Sequence, residues 1–200
     1  MYRSASGDCE QETREEEAMK LGLACQEWGF FQLVNHGISD EVIERMKYEI
    51  QDQYSLELER IKSILLSSMS KNLGAEGLAD MFKDGMQSVR INYYPPCHHS
   101  SKVLGLSPHS DGSGLTLLLQ VNQVEGLQIK KNGRWLPIKP LSSAFIVNID
   151  TLEIMSHGKY KSIEHRLVIN PEKERMSITT FCMPRLDVGS RFNSQARGRK

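Results

Sequence analysis

Apolar residues recur at helical intervals in the first part of the chain, and at intervals of two or in short unbroken runs in the rest. Ala18, Leu21, Cys25 and Trp28 share one face of a helix predicted from Glu15 to Trp28; Gly29 breaks it, and Phe30 to Asn35 reads as a buried strand. Asp40 opens a second helical region. Its stripe of Ile43, Met46, Ile50, Leu58, Ile61, Leu65 and Met69 runs on towards Leu73 and stops at Gly74, and it is expected to pack against a core. A short helix near Gly77 to Phe82 follows. From Ser88 the pattern turns to strands: Ser88 to Tyr94, Gly114 to Val121, Gly126 to Lys130, Arg134 to Ile138, Ala144 to Ile149, Glu164 to Ile169 and Arg175 to Phe181. Asn132-Gly133 marks a two-residue hairpin between two of them. Roughly eight short strands after a run of helices predict an α+β chain with a double-sheet jelly-roll core, a double-stranded β-helix of cupin type. The expected division is 1–84 helical, 85–187 jelly roll and 188–200 a basic tail.

Charge and composition narrow the partners. With 25 basic and 25 acidic residues and 39% hydrophobic residues, the chain offers no electrostatic case for nucleic acid or for a membrane surface. Composition fixes no oligomeric state. No apolar run of about 18 residues exists, and the polar start Met1-Tyr2-Arg3-Ser4-Ala5-Ser6 lacks the apolar core of a secretion signal, so the cytoplasm is the expected location. Cys9, Cys25, Cys97 and Cys182 show no paired short spacing, which argues against a disulfide framework and a cysteine-rich zinc site.

The chemistry gathers in the strand region. His109-Ser110-Asp111 is followed by His165 and then by Arg175-Met176-Ser177. Two imidazoles and a carboxylate without cysteine form the ligand set that holds a non-haem Fe(II) on one face. If His109 and Asp111 lie in one strand, the i, i+2 spacing puts both on the same face, and His165 arrives from a second strand. Arg175 and Ser177 repeat that spacing. A rigid guanidinium fork beside a hydroxyl suits a carboxylate better than a lysine would. Upstream, Arg90, Asn92 and Tyr94 alternate onto one face, where Asn92 and Tyr94 could donate to a bound acid before Pro95-Pro96 ends the strand. Cys97-His98-His99 offers further ligand types but is expected to be a solvent-facing loop.

These segments, with Trp28-Gly29-Phe30-Phe31-Gln32-Leu33-Val34-Asn35-His36-Gly37, Leu106-Ser107-Pro108, Gly126-Leu127-Gln128-Ile129 and Gly158-Lys159-Tyr160-Lys161-Ser162-Ile163-Glu164, closely resemble the plant 2-oxoglutarate/Fe(II)-dependent dioxygenases, in the branch of anthocyanidin synthase-like, flavonol synthase-like and alkaloid O-demethylase-like enzymes. The resemblance implies that His109, Asp111 and His165 hold Fe(II) and form the catalytic centre, that Arg175, Ser177 and Tyr94, with Asn92, hold 2-oxoglutarate, and that Phe181 walls the substrate. It implies O2 as second cosubstrate and ascorbate as reductant. The reaction would be hydroxylation, desaturation or demethylation of a small organic, specialised plant metabolite.

Departures qualify the likeness. Relatives carry several tens of residues near Asp52 to Tyr54 that this chain lacks, a glycine is missing between Ile149 and Asp150, and His157 stands where asparagine is usual. They suggest a truncated or alternatively spliced form, and with it a second reading: a non-catalytic remnant that binds metal or a partner without turnover. A third, a cupin-like zinc or manganese enzyme, is disfavoured by Arg175, Ser177 and Tyr94, because an acid anchor needs an acid cosubstrate.

Overall fold

The computed structural model describes residues 15–21, 23, 25–26, 32, 37–75 and 77–185. Trp28, the strand expected over Phe30 to Asn35 apart from Gln32, and the expected tail therefore lie outside the described residues. The chain divides into two compact units, Met1–Asp52 and Gln53–Lys200. Among the described residues no helix is long and apolar enough to cross a membrane.

In the first unit, residues 15–21, 23 and 25–26 are helical. Helix α1 (Asp40–Tyr48) starts where Ser39 Oγ accepts the Val42 amide at 3.4 Å, and it buries no residue. A π-helical segment, Glu49–Tyr54, follows α1 and covers the positions where relatives were expected to carry extra residues. The stripe predicted as one seam is thus broken by a change of helical period.

In the second unit, α2 (Ser55–Leu73) stops at Gly74, whose φ of 61° is the left-handed cap that glycine adopts without strain. Leu58 and Leu66 of α2 join Phe82, Leu115, Leu117, Leu152 and Cys182 in the core. Lys62 sits between the two leucines and is buried as well; its Nζ pairs with Glu59 Oε1 at 2.6 Å and donates to the Phe82 carbonyl at 3.3 Å. The helix expected near Gly77 is a 3-10 turn, Ala79–Phe82.

Eight strands then build two antiparallel sheets: β1 (Gln87–Tyr94), β2 (Leu104–His109), β3 (Leu115–Gln120), β4 (Leu127–Lys131), β5 (Arg134–Pro137), β6 (Phe145–Ile149), β7 (His165–Val168) and β8 (Arg175–Cys182), with a short helix, α3 (Leu152–Met155), after β6. One sheet has the order β1-β8-β3-β6, the other β2-β7-β4-β5. This is the expected jelly roll. Asn132 and Gly133, with φ of 51° and 75°, make the β4–β5 hairpin, as the Asn-Gly pair predicted. Leu104 to His109, which alternation had not flagged, is an edge strand; an edge tolerates Pro108, which has no amide to donate. Its pairing with β7 shifts register twice before His109 meets His165.

Candidate functional site

Strand register brings the predicted residues together. In the first sheet Tyr94 lies opposite Arg175, and Asn92, Ser177 and Gln120 form one row across β1, β8 and β3. In the second sheet His109 lies opposite His165. Residues from both sheets line a single cavity of about 330 Å³, among them His109, Asp111, His165, Arg175, Ser177, Tyr94, Asn92 and Phe181.

Asp111 is not in a strand, contrary to the same-strand expectation. β2 ends at His109, and Asp111 follows in the connection to β3. The three side chains still converge: ligand atoms of His109, Asp111 and His165 lie within 4.8 Å of one another. Asp111 Oδ1 is 3.3 Å from His109 Nε2 and 3.6 Å from His165 Nε2. Each ring is oriented from behind. His109 Nδ1 is 2.8 Å from the Ser107 carbonyl and His165 Nδ1 is 3.2 Å from the Ile163 carbonyl. A carbonyl only accepts, so each Nδ1 donates to it and each Nε2 is turned towards Asp111.

Asp111 Oδ2 faces the other sheet, where it accepts from Thr116 Oγ1 at 3.1 Å and from Asn148 Nδ2 at 2.9 Å. Thr116 and Asn148 are cross-strand neighbours on β3 and β6. Burial alone would raise the Asp111 carboxyl; hydrogen bonding and charge from His165, with the Asn148 and Thr116 bonds, outweigh it and hold the group below its ordinary value. Burial likewise lowers His165, but its bonds to Asp111 and to the Ile163 carbonyl leave it above the ordinary imidazole value.

Across the cavity Arg175 is 2% exposed. Its Nη1 donates to Ser177 Oγ at 3.2 Å and its Nη2 to Gln120 Oε1 at 3.1 Å, while Nε is buried with no partner. The guanidinium carbon stands 5.8 Å from the Tyr94 ring centre. Burial lowers the pKa of Arg175 from its ordinary value, against the influence of Tyr94. Gly126 is packed against this side chain: a Cβ there would come within 2.8 Å of the Val168 carbonyl and 3.1 Å of Arg175 Cδ. Asn92 Nδ2 donates to Thr179 Oγ1 at 3.3 Å, and the Arg90 guanidinium covers Phe181 at 5.5 Å. His98 and His99 are exposed, as the loop reading expected.

Sequence reasoning missed Gln120, Thr116, Asn148 and Asp150. The signal was present: Thr116 and Gln120 are polar residues on one face of the apolar run Leu115-Thr116-Leu117-Leu118-Leu119-Gln120, where alternation aims them inward. Asp150 is buried, and burial raises its carboxyl to about 7 despite its hydrogen bonds with Ser113 and Thr116.

Comparison with known proteins agrees with this geometry. Residues 85–184 match the model of the 2OG-Fe(II) oxygenase superfamily, and residues 4–102 match that of the non-haem dioxygenase in morphine synthesis N-terminal region. Protein SRG1 of Arabidopsis thaliana is 40% identical over 86% of this chain and 68% of its own length. Codeine O-demethylase of Papaver somniferum is 37% identical over 81% of this chain and 65% of its own length. The chain thus spans about two thirds of these relatives. The crystal structure of JOX2 in complex with 2OG, Fe and JA superposes with a TM-score of 0.67 at 41% identity, over 70% of this chain and 43% of that one. Family models, relatives and fold agree, and the chain belongs to the 2OG-Fe(II) oxygenase superfamily.

Proposed function

We propose that this chain couples oxidation of a C–H bond in a small organic molecule to decarboxylation of 2-oxoglutarate, with one Fe(II) held by His109, Asp111 and His165. The observation that carries the reading is Arg175, a buried guanidinium with no acid partner among the described residues, in the same cavity as two imidazoles and a carboxylate. Two imidazole nitrogens and a carboxylate oxygen, without sulfur, fit Fe(II). When bound, the iron supplies the oxygen chemistry.

The chain's own residues do the rest. The Nδ1 bonds of His109 and His165 keep both Nε2 atoms inward, and Thr116 and Asn148 engage Asp111 Oδ2 so that Oδ1 remains for the metal. Arg175 and Ser177 take the far carboxylate of 2-oxoglutarate, with Tyr94 against the guanidinium and Asn92 opposite Ser177. The apolar part of the lining, with Phe181, walls the substrate.

A specialised plant metabolite is the substrate class, supported by relatives named codeine O-demethylase and flavonoid 7-O-demethylase. Hydroxylation, desaturation and demethylation share the first hydrogen abstraction. Ascorbate serves as reductant, and the cytoplasm is the location. Succinate release measured with and without Fe(II) tests the reading; release that is equal in both would overturn it. A second reading, binding without turnover, is favoured by one observation: the match to SRG1 runs over 245 positions, longer than this 200-residue chain, so the relative carries internal residues that this chain lacks. Iron and 2-oxoglutarate binding without any succinate would support it.

A further inference from the structure

Among the described residues, Arg175 is held only by neutral acceptors. A guanidinium this deeply buried is ordinarily matched by an acid, since an isolated charge away from water is strongly disfavoured. Here Ser177 Oγ and Gln120 Oε1 orient it without cancelling its charge. Gln120 has no freedom to do otherwise. Its Nε2 donates to the Asn122 carbonyl at 2.8 Å and to the Val124 carbonyl at 2.6 Å, and because carbonyls only accept, the amide cannot turn over. Its oxygen must face Arg175. The loop that supplies those carbonyls is itself tied to β8, where Asn122 Nδ2 donates to the Glu174 carbonyl at 2.9 Å and Asn122 Oδ1 accepts the Met176 amide at 3.4 Å.

We propose that Gln120 is a positioning residue that sets the preference of this site for a dicarboxylic 2-oxo acid over a monocarboxylic one. By holding Arg175 through a neutral oxygen of fixed orientation, it reserves the positive charge for a second carboxylate on the ligand. The inference rests on the reading of Arg175 as the cosubstrate anchor. Glutamate at position 120 is nearly the same shape, yet it would supply the counter-charge from within the protein. It would also turn an acceptor towards the two carbonyls.

The test uses the full chain loaded with Fe(II) under anaerobic conditions, with binding read by calorimetry. The probes are 2-oxoglutarate and 2-oxopentanoate, which share the chelating end and differ in the far carboxylate. The unchanged protein is expected to bind 2-oxoglutarate at least about tenfold more tightly, as a charge-assisted pair requires. In Gln120→Glu that preference falls below about threefold, with 2-oxopentanoate affinity and iron stoichiometry retained. In Gln120→Met, which removes the acceptor without adding charge, it falls part of the way. A role in folding alone would weaken both probes together and leave their ratio unmoved. A folded Gln120→Glu that keeps the original ratio overturns the proposal. Should that variant not fold, Gln120→Met with an unaltered ratio overturns it equally. Absence of any preference in the unchanged protein would instead remove the anchor reading on which the proposal stands.

Discussion

Thr116 stands between two carboxyl groups. Its Oγ1 lies 3.1 Å from Asp111 Oδ2 and 2.9 Å from Asp150 Oδ2, but a hydroxyl has one proton and cannot donate to both. The arrangement closes if Asp150 is protonated and donates to Thr116, which then donates to Asp111. The raised value of about 7 agrees. A carboxyl raised from 3.8 in the folded state binds its proton more tightly there than in the unfolded chain. Its contribution to stability is therefore complete below the unfolded value and is lost as pH rises through about 7. That contribution is on the order of 4 kcal/mol for an isolated group. Asp150→Asn cannot titrate, so denaturant unfolding of metal-free protein between pH 4 and pH 8 should show a smaller loss of stability in the variant. Parallel curves would show that Asp150 is ionised throughout. At the opposite end of the cavity, Arg175→Lys should weaken 2-oxoglutarate binding by about 1.5–3 kcal/mol, the scale of one charged hydrogen bond, and leave iron affinity unchanged. Calorimetry giving equal affinities would remove Arg175 from the anchor. His157 adopts a φ of 52°, the left-handed region where asparagine is at ease, so the asparagine that the resemblance led one to expect there would suit this backbone.

Among the elements, the strands were legible because their alternation is fixed by burial on one face, and the β4–β5 hairpin because Asn-Gly suits positive φ at both positions. Helix α2 was legible both as a helix and in the face it buries. The part of the stripe that lies in α2 packs against the core as expected, with Leu58 1% exposed and Ile61, Leu65 and Met69 against it, while Leu56 and Ile64, off the stripe, are 66% and 58% exposed. Periodicity finds the apolar face of a helix but not which of its neighbours covers it. Leu58→Ala should accordingly cost about 2–5 kcal/mol in denaturant unfolding, as a core truncation does. A loss under about 0.5 kcal/mol, ordinary for a surface position, would return Leu58 to the surface. The strand that carries His109 was expected from the ligand spacing rather than from alternation, and it ends two residues earlier than that spacing implied. His109 and Asp111 were paired on a geometry they do not have, yet the end of a strand and the loop beyond it bring their ligand atoms together all the same.

For the whole molecule, the fold forms without the additional residues that relatives carry within the matched span. Both sheets and all of the predicted site residues are present here. A cavity that admits water consumes cosubstrate without modifying substrate, so the expected outcome is slow, Fe(II)-dependent succinate formation that rises little when an organic substrate is added. Succinate matched one for one by oxidised product would show that the shortened chain closes its site fully.

The two halves of the site belong to different sheets. Arg175 and Ser177 stand on one, and His109 and His165 on the other, with Asp111 following β2 and braced by Thr116 and Asn148 from the first sheet. Facing sheets in a protein keep a separation of about 10 Å, set by the bulk of the side chains between them. The gap then acts as a gauge. A diacid gripped at both ends must match it, and the tolerance for a shorter or longer homologue is decided by the residues that wedge the sheets apart, including leucines that never touch the ligand.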